Sequence, residues 1–104
     1  MAKWPPDWDK EEGERVSPRV FKEGELIFWF HSYDALVENR ASVHVGKGSQ
    51  NDSTDAKIWL EPAVEVARAG RTLSRSELSR AVRITEANQG RLLEAWRAHK
   101  GRTN

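Results

Sequence analysis

Two histidines and the carboxylates between them are the residues whose types could carry chemistry. His31 and His44 enclose Asp34 and Glu38, and a histidine–carboxylate cluster can bind a metal ion or supply a general base. The spacing matches no His-Glu-x-x-His zinc motif, no Walker loop and no Gly-x-Ser-x-Gly turn. We therefore predict no metal site and no cofactor. The candidate catalytic residues of a weak ribonuclease or other hydrolase are His44 as acid or base, with His31, Lys57 and Glu61 assisting.

His44 has three possible roles. Like Ser42, it alternates with valines in a segment that reads as a β-strand, so it lies on the polar side of that strand. This side faces solvent, contacts a ligand or nucleic acid, or takes part in catalysis. His31 is predicted to be structural or to cap the end of a strand. Three tryptophans are predicted to be core residues rather than a base-stacking platform: Trp29, Trp59 and Trp96.

The net charge of +1 conceals an uneven distribution. Residues 1–66 contain 8 basic and 13 acidic side chains, a net charge of −5, whereas residues 67–104 contain 9 basic and 3 acidic side chains, a net charge of +6. Arginine predominates in the second part and binds phosphate or carboxylate groups in bidentate fashion. The residues predicted to contact RNA, DNA or an acidic partner protein are Arg75, Arg80, Arg83, Arg91, Arg97 and His44.

A solvated helix face is the alternative interpretation of these arginines. Arg83 precedes Glu86 by three residues, and Glu94 precedes Arg97 by the same spacing, which favours ion pairs within a helix. Near-neutrality of the whole chain also argues against a protein that coats DNA indiscriminately.

Length and composition restrict the class of protein. A chain of 104 residues predicts one domain. The absence of cysteine excludes disulfide scaffolds, thiolate zinc sites and cysteine nucleophiles, and it suits a reducing cytosol. The longest apolar run, Leu26 to Phe30, is far shorter than the roughly 20 residues of a membrane-spanning helix. The first residues lack the apolar stretch of a secretory signal, so we expect a cytoplasmic protein that does not associate with membranes.

Apolar segments and turn signals predict a small antiparallel sheet. Val20-Phe21 and Leu26–His31 flank a short turn and predict a β-hairpin, whose second strand is covered on both sides because its apolar run does not alternate. Further strands are predicted at 41–45 and 56–60, with an edge segment near 64–66 after the Glu61-Pro62 interruption. The connections are predicted to be a polar segment at 32–40 and a flexible surface loop at 46–55.

The last third of the chain has helical periodicity. Ser74-Arg-Ser-Glu77 fits a capping box, and apolar residues from Leu78 to Trp96 fall on one side of a helix. Gly90 indicates a bend or break after Gln89. Residues 1–17 are predicted to form an extended arm that contains proline and tryptophan. We therefore predict an α+β fold in which residues 18–104 form three to five antiparallel strands packed against one long C-terminal helix.

Four segments carry a resemblance to a known family. They read VFKEGELIFWFHSYD, ASVHVGKG, AKIWLEPAVEVARAG and LSRSELSRAVRITEANQGRLLEAW, and they cover about residues 18–100. The chain resembles the small bacterial proteins of the family named domain of unknown function 4160. Ala56–Pro62 and Leu92–Trp96 are close to the usual family sequences. The family usually has two alternating histidines in the third strand, whereas this chain has Ser42 and His44.

The resemblance implies an interaction role and no established activity. Genes of this family often lie beside those of small partners in toxin–antitoxin-like pairs, which implies a small protein partner encoded nearby. We therefore expect a toxin–antitoxin-type or accessory binding module that contacts nucleic acid or a partner protein. The alternatives are the hydrolase that uses His44 and a structural subunit anchored on a larger assembly by the N-terminal arm.

Overall fold

The computed structural model describes residues 19–103, except for the side chains of residues 33, 35, 36, 102 and 103. In chain order its elements are β1 (Arg19–Glu23), β2 (Leu26–Trp29), α1 (Ser32–Val37), β3 (Ser42–Lys47), β4 (Ala56–Trp59), β5 (Glu65–Arg68), α2 (Arg75–Ala87) and α3 (Gln89–Thr103). The five strands form one antiparallel sheet whose spatial order is their order in the chain. The α+β class is therefore confirmed. The predicted arm of residues 1–17 lies outside the described residues.

The apolar strand β2 lies between β1 and β3, and all four of its residues are buried. Alternate residues of a strand point to opposite sides of the sheet. Leu26 and Phe28 belong to the main core, whereas Ile27 and Trp29 are buried outside it. The prediction of a strand covered on both sides is confirmed, because the absence of alternation reflects two buried sides.

The main core lies between one side of the sheet and the two C-terminal helices. The sheet contributes aliphatic and aromatic side chains from its first four strands, and the helices contribute a complementary apolar stripe. The buried members of this core include Val20, Leu26, Phe28, Phe30, Val43, Val45, Ile58, Leu60, Ala81, Leu92, Ala95 and Trp96. Burial of this surface is the main source of stability for a domain of this size.

Two helices form where one long helix was predicted. The capping box at the start of α2 is confirmed, since Ser74 Oγ accepts from the Glu77 amide and Glu77 Oε1 accepts from the Ser74 amide. Asn88 ends α2, and its side-chain Nδ2 donates to the Ile84 carbonyl at 2.8 Å. Asparagine competes in this way with helical hydrogen bonds, so the helix ends at Ala87, two residues before the predicted break. Gln89 begins α3 and donates from Nε2 to the Leu60 carbonyl at 2.7 Å.

Two connections have more structure than their composition indicates. The segment 32–40, predicted to be a polar connection, contains helix α1. The segment 46–55, predicted to be a flexible surface loop, begins within β3 at Gly46 and ends at the fully buried Asp55. The first connection therefore contains a helix that was not predicted, and the surface loop is shorter than predicted, residues 48–54. Long-range contacts of Asp34 and Asp55, which composition does not reveal, determine these differences.

Candidate functional site

The side of the sheet opposite α2 and α3 carries polar and aromatic residues. The strand register places Trp29 beside His44 and His44 beside Lys57, and it pairs Ser42 with Trp59. Directly opposite residues of antiparallel strands point to the same side of the sheet. These five side chains therefore share one surface, termed the polar face below.

Helix α1 brings a carboxylate onto the polar face. Asp34 Oδ2 lies 2.9 Å from His44 Nε2 and 3.3 Å from Lys57 Nζ. Burial raises the pKa of Asp34, but the hydrogen bond with His44 and the electrostatic interactions with His44 and Lys57 outweigh burial and hold that pKa below its ordinary value of 3.8. Asp34 is therefore ionised at neutral pH. Because an ionised carboxylate only accepts hydrogen bonds, His44 donates from Nε2.

Lys57 connects the sheet to both ends of α1. Its Nζ donates to the two carboxylate oxygens of Glu38 at 3.0 Å each and lies 4.7 Å from the centre of the Trp59 ring. Asp34 and Glu38 are four residues apart, the spacing that brings side chains to one side of a helical turn. Asp34, Glu38, His44 and Lys57 are termed the α1 cluster, because their contacts fix this short helix to the polar face.

The α1 cluster buries His44. His44 and Ser42 are each 2% exposed, so the expectation that this side of the strand faces solvent is wrong. The His44 ring lies 4.7 Å from the Trp29 ring, centre to centre, and its Nδ1 atom is buried. A substrate cannot reach the His44 ring while α1 is in place. The histidine and its carboxylate therefore form an internal hydrogen-bond network in this structure.

The remaining candidate catalytic residues lie in two places. His31 occupies the N-cap position of α1 without a side-chain cap hydrogen bond, and its ring centre is 5.5 Å from that of His44. Its Nε2 lies 3.2 Å from the Asp52 carboxylate. Glu61 instead accepts from the Ala41 amide at 3.2 Å, at the entrance to β3. The structure thus brings His31, His44 and Lys57 together, and it places Glu61 in a contact with the backbone.

Asp55 is a second buried carboxylate, and the sequence analysis missed its importance. Its Oδ2 accepts from Trp29 Nε1 at 3.0 Å and from the Asn51 amide at 2.8 Å, and its Oδ1 accepts from Thr72 Oγ1 at 2.7 Å. A Cβ atom at Gly46 would collide with this carboxylate, so glycine permits its close approach to β3. The only sequence signal of Asp55 is that an acidic residue directly precedes a strand. This pattern is too common to identify a buried carboxylate that holds a loop in place.

The tryptophans follow the core prediction in part. Trp29 and Trp96 are buried. Trp59 is half-buried, and Arg40 lies over its ring at 4.2 Å from the centre. Arg40 also pairs with Glu65 at 2.7 Å, which ties the start of β3 to the edge strand β5. Cationic side chains therefore cover the Trp59 ring, and the polar face presents no open aromatic surface there.

The five candidate arginines are exposed on α2 and α3. The side chains of four of them form no ion pair or hydrogen bond with any of residues 19–103: Arg75, Arg80, Arg83 and Arg97. The predicted ion pairs Arg83–Glu86 and Glu94–Arg97 do not form among residues 19–103. These pairs were the support for a helix face whose charges neutralise one another. These guanidinium groups are available to a partner.

Arg75 and Arg83 lie about two turns apart on the same side of α2. They line an open depression of about 590 Å³ together with Ser74, Ser76 and Ser79. These five residues are termed the α2 arginine patch. Guanidinium groups donate hydrogen bonds only, and serine hydroxyls donate readily to an anion. The side chains of the patch are therefore chemically complementary to phosphate or carboxylate oxygens.

The described part of the chain has neither a metal-binding group of side chains nor a membrane-spanning helix. Within residues 19–103, no three His, Cys, Asp or Glu side chains are arranged to hold a metal ion. Over the same residues, no helix combines the length and the apolar character that crossing a membrane requires.

The chain forms a small α+β domain. Helices α2 and α3 cover the apolar side of its five-stranded sheet, and the short helix α1 is held by ion pairs on the polar face. A family model described as domain of unknown function (DUF4160) matches residues 26–97, from β2 into α3. The chain belongs to this family. No curated protein and no solved structure matches the chain.

The link between Lys47 and Glu77 gives the start of α2 a specific pH dependence. Lys47 Nζ lies 2.7 Å from Glu77 Oε2, and hydrogen bonds from Lys47 and from the Ser74 amide lower the pKa of Glu77 from 4.5 to about 2. A lowered folded-state pKa contributes stability above the unfolded-state value, and this contribution is lost as pH falls through the folded-state value. We expect Glu77→Gln to be less stable than the wild type at pH 7 and equally stable near pH 2.

Thermal unfolding of both proteins between pH 7 and pH 2 checks this expectation. Glu86→Gln is the matched control, because Glu86 is an exposed carboxylate on the same helix without a described ion pair. A Glu77 carboxyl that titrates near 4.5 in an NMR experiment would contradict the assignment.

Proposed function

We propose that the protein is a small binding module that holds the phosphate backbone of a nucleic-acid duplex with its α2 arginine patch. One observation carries the proposal. Arg75 and Arg83 are exposed, have no ion-pair partner among residues 19–103, and line the same depression as three serine hydroxyls. The concentration of positive charge in residues 67–104 supports it, since a basic surface attracts a polyanion over a longer range than single contacts do.

The chemistry of the patch favours phosphate. A guanidinium group presents a planar set of donors that fits two phosphate oxygens at once. Ser79 lies between Arg75 and Arg83 at four-residue intervals, so the three side chains follow one side of α2. Half or more of protein–DNA hydrogen bonds involve phosphate or sugar, and serine and arginine are among the usual donors.

A duplex is favoured over a single strand. Proteins that bind single strands stack bases on exposed aromatic rings. Among the side chains that the structure describes, the exposed large apolar ones are Val37 and Val66, and neither is aromatic. Trp96, a residue of α3, is buried in the main core, and Trp59 is covered by Arg40 and Lys57. Contacts with the backbone of a duplex need no such platform, and they are independent of base sequence.

The other candidate roles have less support. The burial of His44 Nδ1 supports binding over hydrolysis, because a general base must reach the atom that it deprotonates. Hydrolysis by the wild type that disappears in His44→Ala would support the hydrolase hypothesis instead. The role of the N-terminal arm as an anchor concerns residues outside those described. A toxin–antitoxin-type or accessory role is compatible with a small binding module and depends on the family resemblance alone.

Fluorescence anisotropy at several salt concentrations tests the proposal. The probes are a labelled 20-base-pair DNA duplex of random sequence, an RNA duplex of the same length and a polyglutamate peptide. We expect the wild type to bind duplex with an affinity that falls steeply with salt. We expect Arg75→Gln/Arg83→Gln to bind more weakly, with a salt slope smaller by roughly 1.8 on DNA, at about 0.9 per phosphate contact.

The control variant carries the same charge change elsewhere. Arg19→Gln/Lys22→Gln removes two exposed cations from β1, and we expect it to keep most of the affinity. Equal losses in the two double variants would attribute binding to net charge and would reject the patch. Binding of polyglutamate without binding of either duplex would replace nucleic acid by an acidic protein partner. No binding at 25 mM salt would reject the proposal.

A further inference from the structure

Strand β5 forms one edge of the sheet, and all four of its residues are exposed. Val66 is 40% exposed there and is one of the two exposed large apolar side chains among those described. Apart from its pairing with β4, no backbone hydrogen bond joins β5 to any other part of residues 19–103. The outer amide and carbonyl groups of β5 therefore face solvent, where they can pair with another strand.

The register with β4 determines which side of the sheet each residue of β5 faces. Glu65 pairs with Trp59 and Arg68 pairs with Lys57, so both charged side chains lie on the polar face. In a regular strand, residues three apart point to opposite sides. The register shift leaves Ala67 as an extra residue between them, which brings both to one side. Two opposite charges therefore lie at the two ends of β5 on the same side of the sheet.

This arrangement of charges is complementary to itself. When two copies of β5 pair antiparallel about a two-fold axis, Glu65 of one copy lies opposite Arg68 of the other, and symmetry repeats the contact. Val66 then lies opposite Ala67, again twice. Directly opposite cross-strand pairs of opposite charge are favourable, so this register is the one that the side chains of β5 favour.

Both charged groups can make the new contact and keep their present ones. Glu65 pairs with Arg40 through Oε1 at 2.7 Å, and its Oε2 has no ion pair or hydrogen bond within residues 19–103. Arg68 donates from Nη2 to the carbonyl groups of Asp52 and Asp55 at 2.9 and 3.2 Å. A neutral carbonyl does not neutralise the guanidinium charge. Arg68 is therefore able to bind a carboxylate through its remaining donors.

The other edge of the sheet, β1, lacks this property. Arg19 pairs with Trp29 and lies on the polar face, whereas Glu23 pairs with Leu26, a residue of the main core. The opposite charges of β1 therefore point to opposite sides of the sheet. They cannot meet across a two-fold axis when two sheets join into one.

We propose that the protein forms a symmetric dimer in which the β5 strands of two copies pair antiparallel, with Glu65 of each copy opposite Arg68 of the other. The two sheets then form one sheet of ten strands. Four strand residues a side are far fewer than the roughly 20–30 residues a side of a standard interface, so the dimer is weak and depends on concentration. The proposal does not depend on duplex binding by the α2 arginine patch.

Sedimentation equilibrium of the full chain and of two charge-reversed variants tests the dimer. We expect the average mass of the wild type to rise from one chain toward two between about 10 µM and 1 mM. Glu65→Arg brings arginines opposite each other and Arg68→Glu brings glutamates opposite each other, so each alone should dissociate with a Kd about tenfold higher or more. An equal mixture of the two variants should dimerise again, because opposite charges then meet at both contacts.

The control keeps the charge change and moves it to the other edge. Lys22→Glu on β1 changes the net charge as Arg68→Glu does, and it should dimerise like the wild type. In NMR spectra of the wild type, we expect the amide shifts of residues 65–68 to change over the same concentration range, while those of β1 stay constant.

Several results would overturn the dimer. These are a wild type that remains a single chain at 1 mM, equal association of all the variants, a mixture that associates no better than its components, and concentration-dependent shifts confined to another surface. The measurements on the wild type decide the matter even if a variant at Glu65 or Arg68 does not fold.

Discussion

Replacing Asp55 by alanine is expected to lower the free energy of unfolding by about 3 kcal/mol. The carboxylate accepts three hydrogen bonds, from Trp29, Asn51 and Thr72, and it is fully buried. Its loss leaves the buried indole N–H without a partner, which costs about 1–3 kcal/mol, and hydrogen bonds to a charged group contribute about 1.5–3 kcal/mol each. The total is smaller than the sum of these costs, because Asn51 and Thr72 can form hydrogen bonds with solvent once the carboxylate is removed.

Urea denaturation followed by tryptophan fluorescence measures the effect. Asp52→Ala is the matched control, because Asp52 is an exposed aspartate in the same segment whose ion pair with His31 is on the surface. The free energy of unfolding of Asp52→Ala should be lower than that of the wild type by no more than about 1 kcal/mol. Asp55→Asn should fall between the two, since an amide oxygen accepts from only some of the three donors. A loss below 1 kcal/mol in Asp55→Ala would show that the segment is held by other contacts.

Removing the charge of Lys57 is the second substitution with a large expected effect. In Lys57→Met the aliphatic stem beside Trp59 is kept, but Asp34 and Glu38 lose their shared cation. Lys57 and Asp34 are 14% and 16% exposed, so solvent screens the pair only in part. Breaking fully buried ion pairs costs about 3–5 kcal/mol, and we expect roughly 2 kcal/mol in this partly exposed cluster.

Two measurements separate this effect from general destabilisation. In hydrogen exchange, we expect the amides of α1 to lose protection first, while those of α2 and α3 keep theirs, because Asp34 and Glu38 fix α1 to the sheet. In a double-mutant cycle with Asp34→Asn, the combined loss should be smaller than the sum of the two single losses. Lys22→Met is the control, as Lys22 is exposed on β1. Additive losses and uniform exchange would show that α1 is held independently of the cluster.

The parts of the fold that were predicted from sequence are those that local rules determine. The capping box needs only the four residues from Ser74 to Glu77, and the buried strand β2 needs only its own continuous apolar run.

The polar residues Thr85 and Gln89 fall on the side of the helices that packs against the sheet, where apolar residues are expected. The structure explains both residues, since Thr85 Oγ1 donates to the Ala81 carbonyl and Gln89 donates to the Leu60 carbonyl.

The parts that were not predicted depend on partners distant in the chain. His44 is buried because Asp34, ten residues earlier, and Lys57, thirteen residues later, meet on its strand, and the alternation of a strand does not state what covers either side. Asp55 is an anchor because Trp29 and Thr72 converge on it from 26 and 17 residues away. Such convergence is a property of the folded sheet and has no signature in a single segment.

The order of the strands has a consequence for synthesis on the ribosome. Each strand pairs with the next one in the chain, so the sheet can grow by one hairpin at a time as residues 19–68 emerge. Its apolar side therefore emerges before α2 and α3, which cover it with Ala81, Leu92, Ala95 and Trp96. The nascent protein passes through a stage with an uncovered hydrophobic sheet, and the interval before α3 emerges is its period of greatest exposure to aggregation and to chaperones.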